Sequence, residues 1–348
     1  MRVIVTTVQV PFIRGGGELH VEGLVNALRA HGANVEMVSM PFRFCPAESV
    51  QHAMQAWEDE DFEKLPCGRV DKVICLKFPT FYLQHPRKIV WLMHQHRAVY
   101  ELFNTPYGEN DGNPESVMLR NEIIARDTRS LARTTVYANS RRVAERLALY
   151  NGVRAAPLYH PPRGADRFFE GDQLPYVFAP SRLESLKRHE LLLRALPHVD
   201  RSIMVLLVGE GGVRRHLEQL VAELNLSSRV KFLGFVDFDD MVHLYANALG
   251  VFFGPFDEDY GYVTLEAMLS SKPVITCVDS GGPLEFVIDG ETGYVADPSP
   301  EAIAASVNAL AADGEHARKL GRNGRARLDS LDMSWERVVE TLLETTAR

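Results

Sequence analysis

Two carboxylates and two cations stand nearest to usable chemistry in this 348-residue chain. Glu258 and Glu266 lie eight positions apart in Pro255-Phe-Asp-Glu-Asp-Tyr-Gly-Tyr-Val-Thr-Leu-Glu. The pattern predicts a strand end, a loop holding Glu258 and Gly261, then a helix carrying Glu266. A helix opening between Gly261 and Thr264 would aim its first N–H groups, those of Tyr262 and Val263 among them, at an anion. Such donors suit a diphosphate. Glu258, on the loop, is then placed for a sugar hydroxyl, and Glu266 for ribose hydroxyls. Upstream, Arg182 and Lys187 follow a strand end in Ala179-Pro-Ser-Arg-Leu-Glu-Ser-Leu-Lys-Arg-His. Two cations on one diphosphate would stabilise the charge that grows as a nucleotide leaves. Arg188 and His189 are lesser candidates in the same run.

The first half adds further groups. Pro11-Phe-Ile-Arg-Gly-Gly-Gly-Glu places glycines after a strand, where backbone can approach a phosphate, and Gly16 and Gly17 are the candidates. The run lacks Gly-x-Gly-x-x-Gly spacing, which argues against a dinucleotide oxidoreductase. Arg14 stands beside it as a donor or acceptor contact. His94 follows the strand-like Lys88–Met93, and its neutral imidazole would suit a sugar hydroxyl. His96 and Arg97 compete for that place. Lys77 also ends a strand, with a ligand contact and a solvated surface as its two readings. Ser140 reads as a helix cap. Arg126, Arg129 and Arg133 share one helix face, read as solvated in preference to a phosphate site. Asp237-Phe-Asp239 and Asp257-Glu-Asp259 match Asp-x-Asp, a common tripeptide that could hold a divalent ion on a diphosphate; helix capping explains at least one of them.

Alternating strand and helix signals position these groups. Val3–Val10, Asn34–Met40, Asp71–Leu76, Lys88–Met93 and Thr134–Ala138 are β-rich, with helical runs such as Leu19–His31 and Glu115–Ala132 between them. A turn-rich crossing, Leu158-Tyr-His-Pro-Pro-Arg-Gly, separates a second alternating set: Tyr176–Ala179, Ile203–Val208, Val230–Phe232, Gly250–Phe253, Pro273–Cys277 and Gly293–Ala296. The fold class is α/β: two Rossmann-like lobes facing a central cleft, with the ligand at the strands' C-terminal ends. The domains run 1–165, 166–333 and a C-terminal helix over 334–348 that packs back toward the first. Residues 41–70 and 100–116 show no readable element.

Composition is ordinary and soluble, with 46% hydrophobic and 24% charged residues. No segment has the roughly 20 apolar residues that span a bilayer, and the N-terminus reads as a strand, not a signal peptide. Cys45, Cys67, Cys75 and Cys277 share no metal-ligand spacing and are expected as reduced thiols in a cytoplasmic protein. A net charge of −8 disfavours nucleic acid. Residues 1–165 hold 20 Lys+Arg against 17 Asp+Glu, the remainder 18 against 29. A mildly basic first half is compatible with a phosphate-bearing acceptor or peripheral contact with a membrane surface.

The Glu258/Glu266 segment resembles the Glu-x7-Glu signature of glycosyltransferase family 4, retaining enzymes of the two-lobed glycosyltransferase B fold (glycosyl transferases group 1). The resemblance runs over nearly the whole chain with its motifs in order. It implies that Arg182 and Lys187 balance the leaving diphosphate in place of a metal. It makes Gly16 and Gly17 the first lobe's glycine loop and sets His94 beside the donor sugar. It sets Glu210, in Val208-Gly-Glu-Gly-Gly, beside the nucleotide. Val236, in Leu233-Gly-Phe-Val, offers backbone to the base. Ser280-Gly-Gly-Pro-Leu-Glu285 is another such turn, read as a turn only. The implied activity is a hexosyl transfer from a nucleotide diphosphate sugar, UDP first and GDP or ADP open. The acceptor is a saccharide, lipid-linked or small-molecule compound bound by the first lobe. No cofactor and no metal are implied. With no second carboxylate placed as a nucleophile, same-face substitution through an oxocarbenium-like state follows. A nucleotide-sugar epimerase on the same architecture is the alternative.

Overall fold

In a computed structural model of the chain, residues 1–66, 68–108 and 113–345 are described. Cys67, positions 109–112 within the unread stretch 100–116, and the last three positions of the C-terminal segment lie outside them. The chain divides into two units: Met1–His160 with Ser334–Arg348, and Pro161–Met333.

Strand β1 (Arg2–Gln9) is β-branched through its middle and buried on both faces, the mark of a central parallel strand. Around it lie β2 (Asn34–Pro41), β3 (Lys72–Cys75), β4 (Lys88–Leu92), β5 (Thr135–Ala138) and the two-residue edge strand β6 (Ala156–Pro157). The order is β2-β1-β3-β4-β5-β6 and every pairing is parallel. Helices α1 (Gly16–Ala30), α2 (Ala47–Glu58), α3 (Pro114–Leu131) and α4 (Arg141–Asn151) connect them. In α1, His20, Val21, Leu24, Val25 and Leu28 form the buried stripe. The sequence places this helix start at Leu19. It begins three residues earlier because Glu18 Oε2 accepts from the Gly15 N–H at 2.9 Å and caps the first turn. Gly16 and Gly17 are therefore helical, not loop.

The second unit contains β7 (Tyr176–Pro180), α5 (His189–Ala195), β8 (Met204–Val208), α6 (Arg214–Glu223), β9 (Val230–Gly234) and α7 (Phe238–Ala246). It continues with β10 (Gly250–Phe252), α8 (Tyr262–Leu269), β11 (Val274–Cys277), β12 (Gly293–Ala296), α9 (Pro300–Ala312) and α10 (Gly314–Ser330). Its sheet runs β12-β11-β10-β7-β8-β9, also all parallel. Strand order reverses between β7 and β10 here, and between β1 and β3 in the first sheet. Ligands of such sheets bind outside the C-terminal strand ends at that reversal.

The last helix, α11 (Trp335–Glu344), belongs to the first unit. Val338, Val339 and Leu342 bury one face of it. A Cβ on Gly23 would lie 2.3 Å from Trp335 Cζ2, so only glycine lets α11 lie so close to α1. Lys72, buried in β3, donates to the C-terminal carbonyls of Leu342, Leu343 and Thr345 at 2.8, 2.5 and 2.9 Å, the place where a cation favours a helix end. Among the described residues no helix is long and apolar enough to cross a membrane. Cys45, Cys75 and Cys277 are free thiols.

Candidate active site

At the reversal in the second unit, the loops after β7 and β10 meet. Lys187 Nζ donates to Glu258 Oε2 at 2.5 Å, with the two side chains 15% and 17% exposed. Lys187 also lies 5.4 Å from the centre of the Phe253 ring. The pair is partly shielded, so each charge is felt more strongly than on an open surface. Its neighbour Arg188 holds the loops in place. Arg188 has φ +52°, a conformation that costs a non-glycine residue about 1–2 kcal/mol. Its guanidinium donates to both Asp279 oxygens, at 2.8 and 2.5 Å. It also donates to the Gly254 and Pro255 carbonyls, each at 2.8 Å. Three loops, after β7, β10 and β11, are thus tied at one buried side chain. Arg188 is no lesser copy of Lys187; it is the joint that fixes where Lys187 stands.

Gly261 opens α8 with φ +90°, and a Cβ there would meet Pro283 Cγ at 3.1 Å and Phe253 Cε1 at 3.2 Å. The Thr264 N–H turns back to the Gly261 carbonyl at 3.0 Å, and the N–H groups before it point out of the start of α8. The loop before it is pinned by the Glu258 N–H to Ser280 carbonyl bond at 2.9 Å and the Gly282 N–H to Glu258 carbonyl bond at 2.8 Å. One turn into α8, Glu266 is half-buried, and its Oε2 accepts from the Tyr245 hydroxyl at 2.6 Å. Burial raises the Glu266 carboxyl above its usual range, and the Tyr245 hydrogen bond partly offsets that. Tyr245, on α7, was not legible as a partner from local spacing.

Arg182 is exposed, and among the described residues its guanidinium makes no hydrogen bond or ion pair. Glu210 is exposed and paired with Arg214. Val236 is half-buried between β9 and α7, next to the exposed Phe235. The turn at 209–211 packs directly on the Arg182 loop: a Cβ on Gly209 would fall 2.1 Å from the Ser181 carbonyl oxygen. His189 is buried, its Nε2 3.0 Å from Ser181 Oγ, and burial pushes it down to about 4, so it is neutral.

The aspartates of the two Asp-x-Asp runs have other partners. Asp237 caps α7 through the Asp240 N–H at 2.9 Å, and Asp239 pairs with Arg167 at 2.7 Å. Asp257 is buried with φ +44°, its N–H donating to the Asp279 carbonyl. Among the described residues no three His, Cys, Asp or Glu side chains gather as a metal-holding group.

In the first unit, the reversal between β1 and β3 brings Lys77 to Glu18, Nζ to Oε1 at 2.9 Å. Lys77 is buried, which removes the solvated-surface reading. A Cβ on Gly17 would lie 2.8 Å from Lys77 Nζ. Arg14 is exposed and paired with Glu22 at 2.5 Å. His94 is half-buried, with Nδ1 2.7 Å from the Gln95 carbonyl oxygen. His96 is buried between the rings of Phe44 and Phe78, stacked at 5.9 and 5.0 Å, and burial lowers it to about 4. That makes His96 a packing residue and leaves His94 the more accessible imidazole. Arg97 and Arg146 share the buried Glu101, at 2.5 and 3.2 Å. Ser140 caps α4 through the Val143 N–H at 3.0 Å.

Residues 166–327 match the family model described as glycosyl transferases group 1. Alpha-1,3/1,6-mannosyltransferase ALG2 of Dictyostelium discoideum is 36% identical over 117 residues, covering 33% of this chain and 28% of that protein. D-inositol 3-phosphate glycosyltransferase of Nocardia farcinica is 31% identical over 292 residues, 76% of this chain and 62% of that protein. The matched stretches thus span less than two thirds of either relative. Among solved structures, sucrose-phosphate synthase from Thermosynechococcus elongatus has a TM-score of 0.79 at 20% identity, covering 99% of this chain and 98% of that one. Anabaena Alr3699/HepE in complex with UDP-glucose has a TM-score of 0.73 at 18% identity, covering 99% and 98%. The fold is the glycosyltransferase B fold, and residues 166–327 resemble the glycosyl transferases of group 1.

Proposed function

We propose that this chain is a glycosyl transferase of group 1, a metal-independent, retaining enzyme using a nucleotide diphosphate sugar, with UDP as the preferred nucleotide. The observation that carries the reading is the meeting of Lys187, Glu258 and the Gly261-capped start of α8 at the strand-order reversal of the second unit.

In this reading Arg182, Lys187 and the first N–H groups of α8 stabilise the diphosphate as it leaves. Glu258 holds both Lys187 and a hydroxyl of the donor sugar. Glu266, steadied by Tyr245, accepts from the ribose. Glu210 flanks the nucleotide, and Val236 presents backbone to the base. The C1–O bond to the phosphate breaks, the acceptor oxygen bonds C1 on the same face, and a leaving phosphate oxygen takes the acceptor's proton. Gly16, Gly17 and His94 are assigned to the first unit's share of the ligand, as is the acceptor. The complex of Alr3699/HepE with UDP-glucose supports UDP as first choice. A related mycobacterial protein named as GDP-mannose-dependent makes GDP the next nucleotide to test. The protein is proposed to act in the cytoplasm, at a saccharide or lipid-linked acceptor, with peripheral membrane contact.

The test is release of nucleoside diphosphate from UDP-, GDP- and ADP-sugars in excess chelator, with product anomers read by NMR. Turnover in chelator with retained configuration supports the proposal. Activity that disappears in chelator and returns with Mn²⁺ contradicts metal independence, and an inverted product contradicts retention.

A further inference from the structure

The arginine face of α3 borders a cavity that the transfer chemistry does not use. Lys88 is the first residue of β4 and Thr134 immediately precedes β5. The cavity they line therefore sits at the N-terminal edge of the first unit's sheet. His94 and Lys77, by contrast, follow the C-terminal strand ends. Its volume is about 100 Å³, ample room for a tetrahedral oxyanion.

The lining charge is one-sided. Lys88, Arg126, Arg129 and Arg133 face it against a single carboxylate, Glu58. Arg126 lies over the Tyr82 ring at 5.4 Å, paired with Glu58 and with Glu122. Lys88 is buried and donates to the Phe81 and Leu83 carbonyls at 2.7 and 2.9 Å, and to Ser130 Oγ at 3.4 Å. Among the described residues no carboxylate pairs with it. Arg129 and Arg133 are exposed at the mouth, and among the described residues neither guanidinium has a protein partner. The C-terminus of α3 contributes about half a negative charge nearby. Four cations against the carboxylates of Glu58 and Glu122 and that half charge leave the site positive. Two unengaged guanidiniums can each grip an oxyanion through two parallel N–H bonds.

We propose that this cavity is a binding site for a phosphate group, separate from the candidate donor site, with Arg129 and Arg133 as its gripping residues. The phosphate comes either free in solution or on a lipid headgroup.

The experiment is arginine modification of the full chain by phenylglyoxal, read peptide by peptide by mass spectrometry. Exposed Arg43 and Arg154 serve as internal controls. One arm adds inorganic phosphate, a second adds phosphatidic acid vesicles, and a third adds phosphatidylcholine vesicles. Selective protection of Arg129 and Arg133 by inorganic phosphate supports the site and a soluble source. Selective protection only by the phosphatidic acid vesicles supports it with a lipid source. Equal protection of the controls, equal protection by phosphatidylcholine, or no protection in any arm overturns it. Where protection is seen, R129A/R133A should weaken binding of the protecting probe, measured directly, by roughly tenfold per arginine. Unchanged binding in that variant also overturns the assignment. Both side chains are exposed, so the variant keeps the fold.

Discussion

Replacing Arg188 by alanine is the most informative single perturbation of the second unit. It removes a two-pronged charge-assisted pair with Asp279 and two bonds to the Gly254 and Pro255 carbonyls. Deleting one partner of a buried ion pair costs about 3–5 kcal/mol. Asp279 is 33% exposed and regains some hydration, which places the loss near the lower end, at about 3 kcal/mol. For a unit the size of Pro161–Met333 each kcal/mol moves Tm by about 2–4 °C, so Arg188→Ala should lower it by about 6–12 °C. Arg188→Gly loses the same bonds but relieves the left-handed backbone at φ +52°, and should recover about 1 kcal/mol relative to alanine. Calorimetry reads both variants. Trp57, Trp91 and Trp335 all lie in the first unit, so tryptophan fluorescence checks separately that this unit still folds. A fall smaller than about 2 °C for alanine, or glycine melting below alanine, would refute the reasoning.

Three further perturbations test the site and the fold. Glu266→Ala should weaken nucleotide-sugar binding roughly tenfold or more with little change in turnover. Arg182→Ala should mainly lower turnover, and identical kinetics in both variants would reject the division of roles. Gly261→Ala forces a side chain onto φ +90° against Pro283 and Phe253; it should cost about 1–2 kcal/mol or more by calorimetry, and an unchanged Tm contradicts the packing. The first unit should lose stability on acidification below about pH 6.5. Burial holds His20, His96 and His160 neutral, the last two down to about 4 and about 3, so each takes up a proton on unfolding. Asp127 opposes them. Burial lifts its carboxyl to about 7 despite hydrogen bonds from Tyr82 and Tyr100, so it gives up a proton on unfolding between about pH 4 and 7. Its stabilising contribution is full at acid pH and lost as pH rises. The balance near pH 5 is about two protons taken up, and Asp127→Asn should steepen the acid fall in tryptophan-monitored Tm. A shallower fall would contradict the sign.

Eleven of the twelve strands among the described residues are legible as β-rich runs, central ones such as β1, β3 and β4 because burial on both faces selects apolar residues, and their ends fall within one or two residues of the reading; the two-residue, exposed β6 is not. Helix α2 was not read, although Val50, Met54 and Trp57 form its buried stripe, because it lies in a stretch of turn signals that masks a three-turn helix. The start of α1 was misplaced because glycine marks loops by propensity, whereas Glu18 and Lys77 supply a cap and a partner that only the fold brings together. The domain boundary was set near 165; the units divide at His160/Pro161, within the same Pro-rich crossing. In the candidate site, residues close in sequence were readable as motifs. Arg188 was undervalued and Tyr245 unseen for one reason. Their partners, Asp279 and Glu266, lie 91 and 21 positions away, and no local spacing announces them.

The most direct measurement is calorimetric titration of the wild-type chain with UDP, GDP and ADP in chelator, repeated with Glu266→Ala. A donor site in the second unit requires saturable one-to-one binding of one nucleoside diphosphate without metal, strongly weakened in the variant. No binding of any of the three by a folded wild-type chain, with or without Mn²⁺, would contradict it.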